Sequence, residues 1–124
     1  YTVGRITEAK EMSEQILQRI DEKWTGYESN SGRYAAFYIA QYYDRIGDQR
    51  EAKKYYLKTL SYGEESESQE SGYYLYSLIA LGKMANQEKN KPLAKSYFNQ
   101  VKKYAKRKHP AHKEARDYIK KNKL

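Results

Sequence analysis

E-A-K-K-Y-Y, residues Glu51–Tyr56, is the stretch from which the fold can be read. Its pattern, an alanine, a basic residue and then an aromatic or apolar pair, recurs along the chain. It stands as E-A-K-E-M at Glu8–Met12, L-A-K-S-Y-F at Leu93–Phe98 and E-A-R-D-Y-I at Glu114–Ile119. Ala9 and Ala52 are 43 residues apart, and Ala52 and Ala94 are 42 apart. A second marker keeps step: S-G-R-Y…I-A at Ser31–Ala40 and S-G-Y-Y…I-A at Ser71–Ala80, 40 residues on. Two markers holding nearly one spacing make an internal repeat, and self-similarity at this period means stacked supersecondary units.

The apolar spacing around each marker is helical. Ile6, Ala9, Met12, Ile16, Ile20 and Trp24 fall three and four apart, which predicts an amphipathic helix over 6–24, capped by Thr7. Gly26–Gly32 reads as a turn. Tyr34, Ala36, Phe37, Ile39, Ala40 and Tyr43 mark a helix over 33–46. Gly47-Asp48 ends it and caps the next, over 49–62, so the two helices form an antiparallel hairpin. The acidic Gly63–Gly72 reads as a solvated loop. Helices over 73–86, 92–107 and 111–121 follow, with Pro92 and Pro110 at first helical positions. The fold class is therefore all-α, with about six helices and no convincing strand. One domain over 1–124 is expected: a lone or half-repeat helix (1–30), two repeat units (31–70 and 71–109) and a closing helix (110–124). The chain opens on Tyr1, and the reading allows that it is the C-terminal piece of a longer protein.

Composition narrows the chemistry. Fifteen tyrosines can fill grooves between helices while their hydroxyls stay wet, so 39% hydrophobic content still permits a packed fold. There is no cysteine, hence no disulfide and no thiolate metal site, and a cytoplasm or a periplasm would suit the chain equally. No apolar run reaches the roughly 20 residues of a membrane span. His109 and His112 are one turn apart, but no third ligand accompanies them, so no metal or cofactor is expected. No nucleophile elbow, phosphate loop or paired buried carboxylate is present, and no enzyme is expected.

At Ile39-Ala40, Tyr43, Gly47-Asp48, Ala52, Tyr56 and Thr59 the pattern resembles the tetratricopeptide repeat family, divergent and with lengthened loops. The second unit matches it at Ile79-Ala80, Ala94, Phe98 and Val101, with a turn two residues longer. That resemblance implies hairpins stacked as a short right-handed solenoid whose first helices line a concave, peptide-binding groove. It places Tyr34, Phe37, Gln41, Asp44 and Arg45, then Tyr74, Ser77, Leu81 and Met84, on the groove. The Lys, Arg and Asn set with which some members clamp a C-terminal carboxylate is missing, so chaperone tails are not the expected ligand. The implied role is a non-catalytic protein-interaction scaffold, with homo-oligomers through exposed helix faces left open.

Charge is uneven. Residues 1–88 sum to −3, whereas residues 89–124 carry 13 Lys and Arg against 2 acids, a net +11. Lys102, Lys103, Lys106, Arg107 and Lys108 are expected at a helix C-terminus, where the helix field favours cations. The alternative function is nucleic-acid binding by this basic third, with Tyr97, Tyr104 and Tyr118 as stacking platforms; nucleic acid is not the favoured partner. If Ala52 sits at a helix crossing, Ala52→Leu overpacks it and costs about 1–3 kcal/mol. An unchanged urea midpoint would place Ala52 elsewhere.

Overall fold

The computed structural model describes residues 3–23 and 29–124, with side chains for 7–23 and 32–124. The described residues form six α-helices and no strand: α1 (Val3–Asp21), α2 (Ser29–Arg45), α3 (Gln49–Glu65), α4 (Gly72–Gln87), α5 (Lys91–Tyr104) and α6 (Pro110–Lys121). No described helix is long and apolar enough to cross a membrane. The fold divides into two compact units, Tyr1–Ser68 and Gln69–Leu124.

In unit 1, α2 packs against both α1 and α3. Leu17 of α1 meets Ala35, Ala36 and Ile39 of α2, with Ile16, Ile20, Tyr34, Tyr43, Tyr55 and Tyr62 around them. Met12, expected inward, is 65% exposed, and Ser13 is buried instead. The buried stripe thus runs through 13, 16, 17 and 20. Thr7 is not the cap, because α1 begins one turn earlier at Val3. Trp24 and Gly26, in the expected helix end and turn, lie outside the described residues. Gly32 is inside α2, and its missing side chain matters: a Cβ there would lie 2.8 Å from the Tyr62 ring. Gly63, expected to open a loop, is buried within α3. Its carbonyl accepts from the Ser68 N–H at 2.8 Å, so the acidic loop shrinks to residues 66–71 and Ser68 is buried.

In unit 2, α4 packs on α5, and α6 touches both. A Cβ on Gly82 would lie 2.6 Å from the Phe98 ring. Phe98 is itself fully buried and stacks on Tyr118 of α6 at 4.5 Å. Helix α5 stops at Tyr104, three residues short of expectation, and Ala105 is extended. Continuing it would set Lys102 over Lys106 and Lys103 over Arg107, like charges four residues apart, which destabilises a helix.

The two hairpins share one register of 42 residues. Each turn holds three residues, 46–48 and 88–90. Asp48 accepts from the Glu51 N–H at 3.2 Å, and Asn90 from the Leu93 N–H at 3.3 Å. Buried Ala40 and Ala52 are 12 apart, as are buried Gly82 and Ala94. Ala80, the small residue expected to match Ala40, is only half-buried. The longer second turn is therefore a misalignment by two residues: Gly82 holds the crossing.

Both hairpin turns close alike. Asp48 N–H reaches the Tyr43 carbonyl and Asn90 N–H the Ala85 carbonyl, each at 2.9 Å, while Gly47 and Lys89 take positive φ of 85° and 63°. The ends of α3 and α6 repeat this closure with Glu67 and Lys123 in the same conformation. This is the Schellman ending, which glycine fits without the Cβ penalty of about 1 kcal/mol. Lys89→Gly is accordingly expected to stabilise by about 1 kcal/mol. Gly82→Ala gains helix propensity of about 1 kcal/mol but must displace a buried ring, for a net loss of about 1 kcal/mol or more. Urea midpoints at unchanged slope check both signs.

Candidate functional site

Helix periodicity puts residues 34, 37, 41, 44 and 45 on one side of α2. The structure places the last three at the rim of a cleft of about 220 Å³, completed by Tyr56 of α3. Gln41 and Arg45 are exposed, Asp44 is half-buried and Tyr56 is buried. Phe37 continues the wall, its ring edge-on to Tyr56 at 6.1 Å. Tyr34 sits one turn earlier, edge-on to Tyr38 at 6.4 Å.

The carboxylate at the centre is fixed from two sides. Gln49 Nε2 donates to Asp44 Oδ1 at 2.9 Å, and Tyr56 Oη donates to Oδ2 at 3.0 Å. Burial pushes the Tyr56 phenol well up, and the Asp44 charge and hydrogen bond add to this. Tyr56 therefore stays a donor. Both Asp44 oxygens are engaged, so it is a poor candidate for a general base. The cleft instead offers an amide, a carboxylate edge and a guanidinium within one turn of helix, a set that suits polar main-chain and side-chain groups.

The residues expected to continue the groove on α4 do not line an open surface. Tyr74 and Leu81 are 2% and 1% exposed, Ser77 is fully buried and Met84 is buried. Tyr74 packs edge-on to Tyr104 at 5.8 Å. The cause is the two-residue misalignment, which turns a helix by about 200° and exchanges its inner and outer faces. The 42-residue register carries the α2 set onto Tyr76, Ile79, Lys83, Asn86 and Gln87, of which Ile79 is itself buried. Two of these meet α6: Lys83 pairs with Glu114 at 3.2 Å, and Asn86 Nδ2 donates to Tyr118 Oη at 3.0 Å. Sequence reasoning missed them, although the matched caps Asp48 and Asn90 carried the right spacing.

The basic segment also differs from expectation. Lys102 and Lys103 occupy the last turn of α5, but Lys106, Arg107 and Lys108 lie in the loop before α6. All five are exposed. His109 N-caps α6, its Nδ1 accepting from the Ala111 N–H at 3.0 Å. The proposed stacking tyrosines are half-buried; Tyr104 and Tyr118 are held in ring contacts with Tyr74 and Phe98.

No protein-family model matches the sequence, and neither a curated protein nor a solved structure gives a significant match.

His112 reports the field of this basic region. Its buried Nδ1 has no hydrogen-bond partner among the described residues. Burial lowers its pKa from the ordinary 6.5, and Arg116, Arg107 and Lys102 lower it further. The unfolded chain therefore binds this proton more readily than the folded one, and stability falls as pH drops below about 6.5. His112→Gln should flatten the stability curve between about pH 7 and 5; parallel curves for parent and variant would refute the assignment.

Proposed function

We propose that this chain is a non-catalytic helical-repeat scaffold of tetratricopeptide type, whose hairpins stack as a short right-handed solenoid and take a segment of a partner protein along the α2 face. The single observation that carries the reading is the cleft formed by Gln41, Asp44, Arg45 and Tyr56 on the helix face where such repeats hold their ligands. The 42-residue register supports it, because small residues at Ala40, Ala52, Gly82 and Ala94 let paired helices approach closely enough to make repeating hairpins. The Gln41 amide offers one donor group and one acceptor, the complement of an extended peptide group. Asp44 and Arg45 add opposite charges that would orient it.

The test is a panel of short extended peptides against the parent and the double variant Gln41→Ala, Arg45→Ala. The parent should bind a subset of the panel, and the variant should bind that subset about tenfold more weakly, a difference of about 1.4 kcal/mol. Equal binding by parent and variant would remove the cleft from the function.

A further inference from the structure

Unit 2 bears a surface that the α2 cleft does not involve. All thirteen Lys and Arg residues of 89–124 are exposed. No ion pair within 4 Å joins any of them to a carboxylate among the described residues. The densest part is Lys102–Lys108, with five cations in seven residues. Two of those five gain from the end of α5. Lys106 directly follows the α5 C-cap Ala105, whereas Arg107 and Lys108 stand just before the N-cap of α6, where the helix end is itself partially positive and disfavours a cation. Folding does not explain charge placed against the local field. Burial is the main cause of the lowered His112 pKa, and Arg116, Arg107 and Lys102 add the same repulsion to it.

We propose that this face docks the phosphate backbone of duplex nucleic acid, with Lys102, Lys103, Lys106, Arg107 and Lys108 as its centre. A duplex presents about one negative charge per 1.7 Å of axis, a density that matches a surface of unpaired cations. The alternatives fit less well. Protein interfaces are depleted in lysine and enriched in aromatics, and eleven of these thirteen cations are lysine. A membrane-surface helix inserts large apolar side chains. Among the described residues the exposed large hydrophobics, Met12, Tyr38, Ile46 and Leu57, all belong to unit 1. Single strands need open aromatic platforms, and Tyr97, Tyr104 and Tyr118 are half-buried. The same basic face on a second copy of the chain carries the same net +11 and is repelled. Lysine is a point charge without the planar fork that reads guanine, so docking is independent of base sequence.

The experiment is anisotropy of a labelled DNA duplex of about 20 base pairs, titrated with the parent chain at several salt concentrations. Affinity should fall roughly 500-fold between about 50 and 200 mM salt if the five central cations each displace one counterion. Changing all five to Gln should reduce the log–log slope by about 4 to 5, with helicity retained in circular dichroism. The loop triple Lys106→Gln, Arg107→Gln, Lys108→Gln should weaken binding while raising the melting temperature, since it relieves the α6 end; a merely structural role would lower it. Arg50→Gln with Lys54→Gln, in unit 1, should leave binding unchanged, as should Gln41→Ala with Arg45→Ala. Salt slopes equal in parent and five-residue variant would overturn the proposal. So would a single strand binding more tightly than the duplex. Binding to phosphatidylserine vesicles with none to duplex would replace nucleic acid by a lipid surface.

Discussion

The architecture depends on how closely two helices can approach when a side chain is absent at their crossing. In the first hairpin Ala40 and Ala52 supply the missing bulk, and Tyr56 fills the space beside them. In the second, Gly82 lets the Phe98 ring lie where its own Cβ would have been. A tight crossing leaves room for only a short turn, and both turns hold three residues. A short turn leaves few groups to satisfy the free N–H donors of the next helix, so Asp48 and Asn90 are needed as caps. The crossing also sets which side of the first helix faces outward. Position of the small residue, length of the turn and identity of the outward face are thus one constraint. An error in the first propagates to the last.

This explains which parts of the molecule could be read in the sequence. Alanines at 52 and 94, the Asp48 cap and the prolines at 92 and 110 act locally, and each appears close to where its chemistry put it. The small residue of α4 was harder. Glycine is read as a helix breaker and Ala80 offered itself as the match, but close packing against Phe98 decides in favour of Gly82. Gly32 and Gly63 misled for the same reason, since tertiary packing offsets a helix penalty of about 1 kcal/mol. Met12 and Ser13 exchanged faces because the buried stripe is centred on Leu17, four residues after Ser13, with Ile16 and Ile20 beside it. The cationic run Lys106–Lys108 was read as the end of a helix because repulsion between successive turns leaves no mark in a periodicity count. The outward residues of α2 were legible; those of α4 required the crossing to be located first.

The two units treat charge differently. At the α2 cleft the carboxylate of Asp44 is met on both oxygens, by Gln49 and by Tyr56. In unit 2 Glu114 pairs with Lys83, a cation that lies outside the basic third. A compensated surface discriminates by geometry and is insensitive to salt, whereas an uncompensated one attracts over about a Debye length and discriminates little. Surfaces so different need not compete for one ligand.

The helix ends carry a last consequence. Lys23, Lys89 and Lys123 are exposed and sit in the backbone conformation that lysine tolerates least, at φ of 58°, 63° and 54°. A protease that cuts after lysine binds its substrate as an extended strand. Opening the turn at Lys89 or Lys123 forfeits two hydrogen bonds but releases the strain of about 1 kcal/mol stored at the lysine. Such a residue inside a helix would need several turns to unwind first. A nick at Lys89, in the exposed turn between α4 and α5, would divide the second of the two hairpins that the sequence repeat defines.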